Sequence, residues 1–439
     1  MASAVLFLSG VVFFGSLLGT QLCRQAEKKR KLWLWVVLAA LFALSFLPES
    51  LMAAQRLRLA VSPWLNLAYL VGLPVLLLLL GRRKRMYKKF VLLALAVPFF
   101  LTGCWDKKDP EDRAFIITLG VDAAENGCHF TFAPANIETG EAEIYAAESE
   151  TLSGAVAQVD TYTSRKTDLG QLKTVILGEG LLQDSARLDA LLGELERSQA
   201  VSEKVMLLAA DSASACVEKA MKEDSKTGLF LWDFYKNTAE EVAVTKGIDL
   251  DTFLTERTER GGNGVLPRIR AEGERLRLGG GMAVSARGAS ILNEEEERGY
   301  LFLLGDAEGA VLEGRYEAAV LPLAVTKTKA DYDFQAAGDT VLCTVTLPVE
   351  GTLQGGRGEL LSAEQKTELE SIFSASIKEE VEHTIKTALS EGVDFLGIRP
   401  RAERALPQLA KACTREQLWE RMAFRVVPKV QITDMGRKR

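Results

Sequence analysis

Three long apolar runs at the start of the chain constrain its fold more than any other feature. They span residues 2–22, 32–47 and about 63–80, and none of them contains a charged residue. Each approaches the roughly 20 residues that a helix needs to cross a hydrocarbon core. A helix buried in a soluble core is the alternative, but three charge-free runs in series favour a membrane. We predict three transmembrane helices within residues 1–85.

The charge distribution separates this part from the rest of the chain. The 439 residues include 53 Lys and Arg and 59 Asp and Glu. Residues 1–103 hold 13 of the basic and 2 of the acidic residues, which leaves 40 and 57 for residues 104–439. The net charges are therefore +11 and −17. We predict a basic membrane segment followed by an acidic soluble region, and acidity of this kind argues against a nucleic-acid partner.

The basic residues also predict the orientation in the membrane. They cluster at residues 24–31 and 82–89, whereas the 49–62 connection has only two. Because cytoplasmic loops are enriched in Lys and Arg, the two clusters are expected in the cytoplasm.

A fourth apolar run, residues 90–101, is too short to span a bilayer comfortably. It follows a basic stretch that begins at Met86, and it ends in Leu101-Thr102-Gly103-Cys104. This order is typical of a bacterial lipoprotein signal peptide, which we place at residues 86–103. Cys104 is then the lipidation site, carrying diacylglycerol and further acyl groups such as palmitate, because two or three chains anchor a protein stably.

A signal peptide inside a chain has two interpretations. Either residues 1–85 are the tail of a membrane protein fused to a lipoprotein, or the start of the chain is assigned upstream of the true one. Both leave residues 104–439 outside the cytoplasm.

Residues 105–435 alternate between strand and helix patterns. Strands are predicted at residues 115–121, 128–133, 172–178, 205–210, 276–285, 289–292, 301–304, 318–327, 340–346 and 425–432, with an Asn126-Gly127 turn after the first. Helices are predicted at residues 152–166, 181–198 and 214–223 and around Leu418-Trp419. The fold class is α+β: a multi-domain mixed α/β region, which we divide into residues 104–272 and 273–435.

The clearest helix follows residue 362. Ser362 and Gln365 form a capping box, apolar residues recur every four positions from Leu369 to Leu389, and Gly392 suits the C-terminal stop.

Few residues indicate chemistry. His129 and His383 lack partners at metal-ligand spacing. The four later cysteines, Cys128, Cys216, Cys343 and Cys413, allow disulfides or isolated thiols equally. The glycines at 279–281 are interpreted as a turn, and the acidic run 294–297 as a solvated turn. We expect no catalytic residue, no metal, no cofactor and no enzymatic activity.

Several segments together resemble the C-subunit lipoproteins of bacterial spore germinant receptors, the Ger(x)C family. The matching segments are Cys104-Trp105-Asp106, residues 111–114 (EDRA), 117–122 (ITLGVD), 169–179 (LGQLKTVILGE), 278–284 (LGGGMAV) and 392–397 with Trp419. The family often has a His near the position of Gln171, so no role is placed there. Residues 44–51 and 72–85 resemble the last helices of the B-subunit, an integral membrane permease.

The resemblance implies a lipid-anchored scaffold and signal-transmission subunit that assembles with A and B subunits in spore germination. It would lie on the outer face of the spore inner membrane, held by Cys104 and membrane lipid. Two alternatives remain: an extracytoplasmic lipoprotein that binds a small solute, and an anchored hydrolase.

Overall fold

The computed structural model describes residues 112–135, 143–223, 229–234, 245–317, 319–354 and 362–435. The chain divides into two compact units, Met1–Lys108 and Asp109–Arg439, and every described residue belongs to the second. The predicted transmembrane helices, signal peptide and Cys104 therefore lie outside the described residues. Among the helices that the structure does describe, none combines the length and the hydropathy needed to cross a bilayer.

A large mixed sheet organises the first half of the described chain. Its strands are β1 Arg113–Ala124, β2 Gly127–Pro134, β3 Tyr145–Ser149, β4 Lys166–Asp168, β5 Thr174–Gly178, β6 Met206–Ala210, β7 Ile248–Asp249, β8 Gly264–Glu272, β9 Arg275–Ser285 and β10 Gly288–Leu292. The main order is β10-β9-β8-β6-β5-β1-β2-β3, with β4 beside β1 and β7 beside β6. Neighbours among β8, β6, β5 and β1 are parallel, and hairpins flank this group on both sides.

Helices cover both faces of this sheet, as a sheet with buried parallel strands requires. On one face pack α1 Leu152–Val159, α2 Glu179–Leu182, α3 Ser185–Arg197 and α6 Leu250–Glu259. On the other face pack α4 Ala213–Glu223 and α5 Phe230–Phe234. Among the central strands, β5 is buried at every position and β6 consists of apolar residues only.

A second sheet organises the other half. Its strands are β11 Val311–Tyr316, β12 Ala319–Thr328, β13 Asp331–Ala337, β14 Thr340–Leu353 and β15 Met422–Met435. Strand β14 is central: β12 and β13 are antiparallel to it, and β15 is parallel. The helices of this half are α7 Glu294–Leu304, α8 Ala363–Glu391, α9 Ile398–Ala405, α10 Pro407–Ala412 and α11 Arg415–Glu420.

The two halves share a core. The cluster under the second sheet includes Val265 on β8, Ala283 on β9 and Leu292 on β10, which belong to the first sheet. The first sheet also continues past residue 272, because β9 and β10 extend it. The division of the chain at residues 272 and 273 stays a prediction.

Helix α8 matches its prediction at both ends. Ser362 and Gln365 form the capping box, and Gly392 ends the helix with a φ of 64°. Its buried stripe runs from Leu369 to Ala388 and includes Phe373. The α+β class with mixed sheets is likewise confirmed.

The prediction for residues 294–304 was wrong. The acidic run is not a solvated turn, and residues 301–304 are not a strand, since all of them form α7. Asn293 caps this helix in a capping box with Glu296, and Glu296 and Glu297 are buried. An apolar run of five residues does not by itself distinguish a strand from a buried helix.

Other boundaries also differ from the predictions. The predicted helix 152–166 ends at Val159, and the predicted helix 181–198 is divided where Asp184 caps α3. The glycines at 279–281 lie within β9 rather than in a turn, and Gly280 has a φ of 74°. Strands β3, β4, β7, β8, β11 and β13 were not predicted. Strand formation depends on pairing with neighbouring strands, which local sequence does not show.

Helices α7 and α8 approach each other most closely at Gly299. A Cβ at this position would lie 2.7 Å from the carbonyl oxygen of Glu380. Beside it, Arg298 donates two hydrogen bonds to the Glu380 carboxylate, at 2.7 and 2.6 Å. The absence of a side chain at Gly299 thus permits the contact that holds the pair together.

We predict that Gly299→Ala lowers the free energy of unfolding by about 1–3 kcal/mol, because the added methyl group overpacks a backbone contact. The measurement is denaturant unfolding of the purified protein. The matched control is Gly193→Ala on α3, where the new Cβ meets only the flexible end of Arg197 at 3.0 Å. Helix propensity should make that variant neutral or more stable by up to about 1 kcal/mol. Equal effects at both sites would contradict the prediction.

Candidate functional site

The two histidines do not build a site with other ligands. His129 lies on β2, with its Nδ1 3.8 Å from Oε1 of Glu148. His383 lies on α8, with its Nε2 3.4 Å from Oε1 of Glu296. Within the described ranges, no group of three His, Cys, Asp or Glu residues is arranged to hold a metal ion.

Of the two possibilities for the later cysteines, the structure has free thiols. Cys128, Cys216 and Cys343 are buried and Cys413 is half-buried. Burial raises the pKa of Cys216 to about 11 and that of Cys343 to about 12. Both thiols therefore remain protonated at neutral pH and are poor nucleophiles.

A cavity of about 340 Å³ lies beside the turn between β1 and β2. Two of its polar side chains, Arg187 and Glu194, are engaged within the protein. Arg187 donates from Nη1 to the carbonyl oxygens of Ala124 and Gly127, at 2.7 and 3.0 Å. Glu194 accepts hydrogen bonds at the start of α1, including one of 2.7 Å from the Ser153 hydroxyl. Burial raises the pKa of Glu194, but these hydrogen bonds lower it overall.

A buried polar junction joins the two halves of the described chain, and it is centred on Arg260. This residue follows α6, and its Nη1 donates to the Tyr300 hydroxyl on α7 and to the carbonyl oxygen of Phe395, each at 3.0 Å. Its Nη2 lies 3.0 Å from Oε2 of Glu256. Arg260 thus binds one partner on its own helix and two from the C-terminal half.

The junction extends into the turn after α8. Asp394 is buried, and its carboxylate accepts backbone hydrogen bonds from Ile398 and Arg399, at 3.0 and 2.8 Å. The Arg399 guanidinium in turn donates to the carbonyl oxygen of Arg260, at 3.2 Å. Burial raises the pKa of Asp394, although Arg399 and Arg260 oppose this shift. These hydrogen bonds link the residues that follow α6 to the turn after α8 across the two halves.

Glu297 is a second buried acid close to this junction. It lies on α7, its Oε1 accepts a hydrogen bond of 3.1 Å from the Thr245 hydroxyl, and Gly281 leaves space for its carboxylate. Burial raises the pKa of Glu297 to about 7, despite the Thr245 and Lys246 hydrogen bonds that lower it. The carboxyl group is therefore partly protonated near neutral pH.

None of these junction residues was predicted from sequence. The local signal for Arg260 is the run Gly261-Gly262-Asn263-Gly264 directly after it, because such a run is typical of a break between elements. Glu297 carries no such signal, since it is one of four consecutive glutamates.

We predict that Glu297→Gln removes a pH-dependent part of the stability. The folded pKa of about 7 exceeds the ordinary 4.5. This group's contribution is therefore complete below about pH 4.5 and is lost as the pH rises to about 7. Glutamine resembles the protonated acid and does not titrate. The free energy of unfolding of the variant should therefore rise relative to that of the wild type by up to roughly 3 kcal/mol between about pH 5 and pH 8.

The check is denaturant unfolding of both proteins across this pH range. Glu295→Gln is the matched control, because Glu295 lies on the same helix and is exposed. If the free energies of unfolding of the wild type and Glu297→Gln differ by the same amount at every pH, the buried carboxyl group does not titrate as described.

Two family models match the chain in series. The spore germination protein N-terminal domain matches residues 106–271, and the spore germination B3/GerAC-like C-terminal domain matches residues 280–436. No curated protein matches. A solved structure, described as the crystal structure of the GerBC protein, is similar with a TM-score of 0.46 and 13% identity. That match covers 74% of this chain and 99% of the GerBC chain. The two family models together span well over half of the sequence, and the chain belongs to the GerAC-like family of spore germination proteins, the C-subunits of germinant receptors.

Proposed function

We propose that this chain is a lipid-anchored, non-enzymatic subunit that transmits the nutrient signal within a germinant receptor. It assembles with the A and B subunits on the outer face of the spore inner membrane. The observation that carries the proposal is the serial match of both family domains over residues 106–436.

The buried junction supports a scaffold role. A subunit that holds partners in a fixed arrangement has to resist deformation between its own halves. Arg260 is 9% exposed and binds groups from both halves. Hydrogen bonds to a charged group typically contribute about 1.5–3 kcal/mol each, so the two that Arg260 donates across the junction oppose separation of the halves.

The signal before the described residues supports the lipid anchor. Leu101-Thr102-Gly103-Cys104 directly precedes the first family domain, which begins at residue 106. In this proposal Cys104 is the acylated N-terminus of the mature protein, and residues 1–103 are removed from it.

The cavity beside the β1–β2 turn is the observation that favours the second candidate, a solute-binding lipoprotein. A volume of about 340 Å³ suits a small molecule. However, Arg187 and Glu194 already bind groups of the protein itself, and the other polar side chains of the lining, Glu125, Asn126 and Glu150, are exposed to solvent. We therefore favour the receptor subunit. A shift in melting temperature with single amino acids or sugars would support the solute-binding function instead.

We predict that Cys104→Ala abolishes lipid attachment and lowers nutrient-triggered germination through the cognate receptor to the level of a deletion strain. The physical reason is that the subunit loses the acyl chains that hold it beside its membrane partners. The measurements are the mass of the membrane-bound protein and the germination rate of spores.

The control is Cys413→Ala, which removes a half-buried thiol and should leave signal-peptide removal, acylation and germination unchanged. Normal germination through the cognate receptor in the deletion strain would disprove the role in signalling. A full-length, unacylated protein in the membrane would disprove the lipid anchor alone.

A further inference from the structure

We propose that one end of the first sheet rests on the phospholipid surface, with Tyr162 and Trp232 as its interfacial side chains. This end is the one at which β1 begins, and we call it the anchor end. The inference depends on the lipid anchor at Cys104 proposed above, and it adds which surface of the protein meets the bilayer.

Tyr162 is conspicuous among the described residues because its side chain is large and largely exposed, at 57%. Its position is nevertheless fixed. The hydroxyl donates a hydrogen bond of 2.6 Å to the carbonyl oxygen of Ala146, and the ring packs edge-on against Tyr145 with centroids 6.5 Å apart. An exposed aromatic ring held in place in this way costs little entropy to dock.

Tyr162 contacts Tyr145 and Ala146, the first two residues of β3. Strand β3 begins at the same end of the sheet as β1, and the register places Tyr145 level with Leu119 on β1. Four residues after Tyr162, Lys166 begins β4 and pairs with Arg113, the first residue of β1.

Trp232 lies at the same end. The ammonium of Lys173 is 5.8 Å from the centroid of its ring, and the backbone N–H of Lys173 donates to Ile117 near the start of β1, at 2.9 Å.

The residue types at the anchor end suit a bilayer interface. Tyrosine and tryptophan combine an apolar ring with a polar group and concentrate at the level of lipid head groups. Lysine can extend its ammonium toward phosphates while its stem stays against apolar surface. Tyr162 and Lys166 are exposed, and Trp232 and Lys173 are half-buried.

The length of chain before β1 decides between the two ends of the sheet. Nine residue steps separate Cys104 from Arg113, so this segment can span at most about 31 Å. Strand β1 has 12 residues and is therefore about 37 Å long. If the far end of β1 faced the bilayer, Arg113 would lie farther from the surface than the segment can reach.

Photo-crosslinking of the full, acylated protein tests the inference. The crosslinker p-benzoylphenylalanine is introduced at position 162 or, as the control, at position 126 in the β1–β2 turn. The protein is reconstituted in vesicles of equal parts phosphatidylcholine and phosphatidylglycerol and irradiated, and its mass is measured. We expect a phospholipid adduct with the crosslinker at position 162 and no adduct with the crosslinker at position 126. A further probe at the exposed position 166 should also form the adduct, which covers the case in which replacing Tyr162 disturbs the fold.

Two results would overturn the inference while leaving the lipid anchor intact, both with Cys104 acylated. One is the absence of adducts at positions 162 and 166, and the other is equal adduct formation at positions 162 and 126. A mass that shows unacylated Cys104 would overturn the anchor, and this inference with it.

Discussion

The buried guanidinium of Arg260 is the interaction on which the arrangement of the two halves depends. A buried cation is tolerated only when its hydrogen bonds are satisfied, and its partners here come from α6, from Tyr300 on α7 and from the turn after α8. The shared apolar core buries apolar surface between the halves but does little to set their relative orientation, because hydrophobic contact is not directional. The junction therefore specifies which of many apolar packings is adopted, and α7 carries both the Tyr300 contact and the close approach at Gly299.

One edge strand of each sheet has backbone groups that are bonded by side chains. Glu370 on α8 accepts a hydrogen bond of 2.9 Å from the backbone of Ile432 on β15, and Pro428 on the same strand has no N–H to offer. At the other sheet, the Gln183 amide bonds both backbone groups of Ala289 on β10. Backbone groups that are bonded in this way are not available to an added strand, so strand addition at β10 and β15 is disfavoured.

The features predicted from sequence were those with short-range causes. Gly127 has a φ of 110° at the start of β2, and a turn that needs positive φ is readable from Asn-Gly alone. The helix from Ser362 to Gly392 was readable because its caps and its stripe are periodic in sequence. The prediction for residues 294–304 was wrong because acidic residues usually indicate exposure to solvent, whereas some of these are buried. Glu296, for example, accepts a hydrogen bond of 2.6 Å from Thr387, 91 residues away.

The sequence by itself determined the family, the α+β class and the ends of the long helix, because each depends on residues close together in the chain. Tertiary structure alone decided that β8, β9 and β10 extend the first sheet, that Glu297 is buried against Thr245, and that Arg260 meets Phe395. Arg260 and Phe395 are 135 residues apart. The physical reason is that burial and buried hydrogen bonds are properties of the assembled core, and no local pattern records which distant group will supply them.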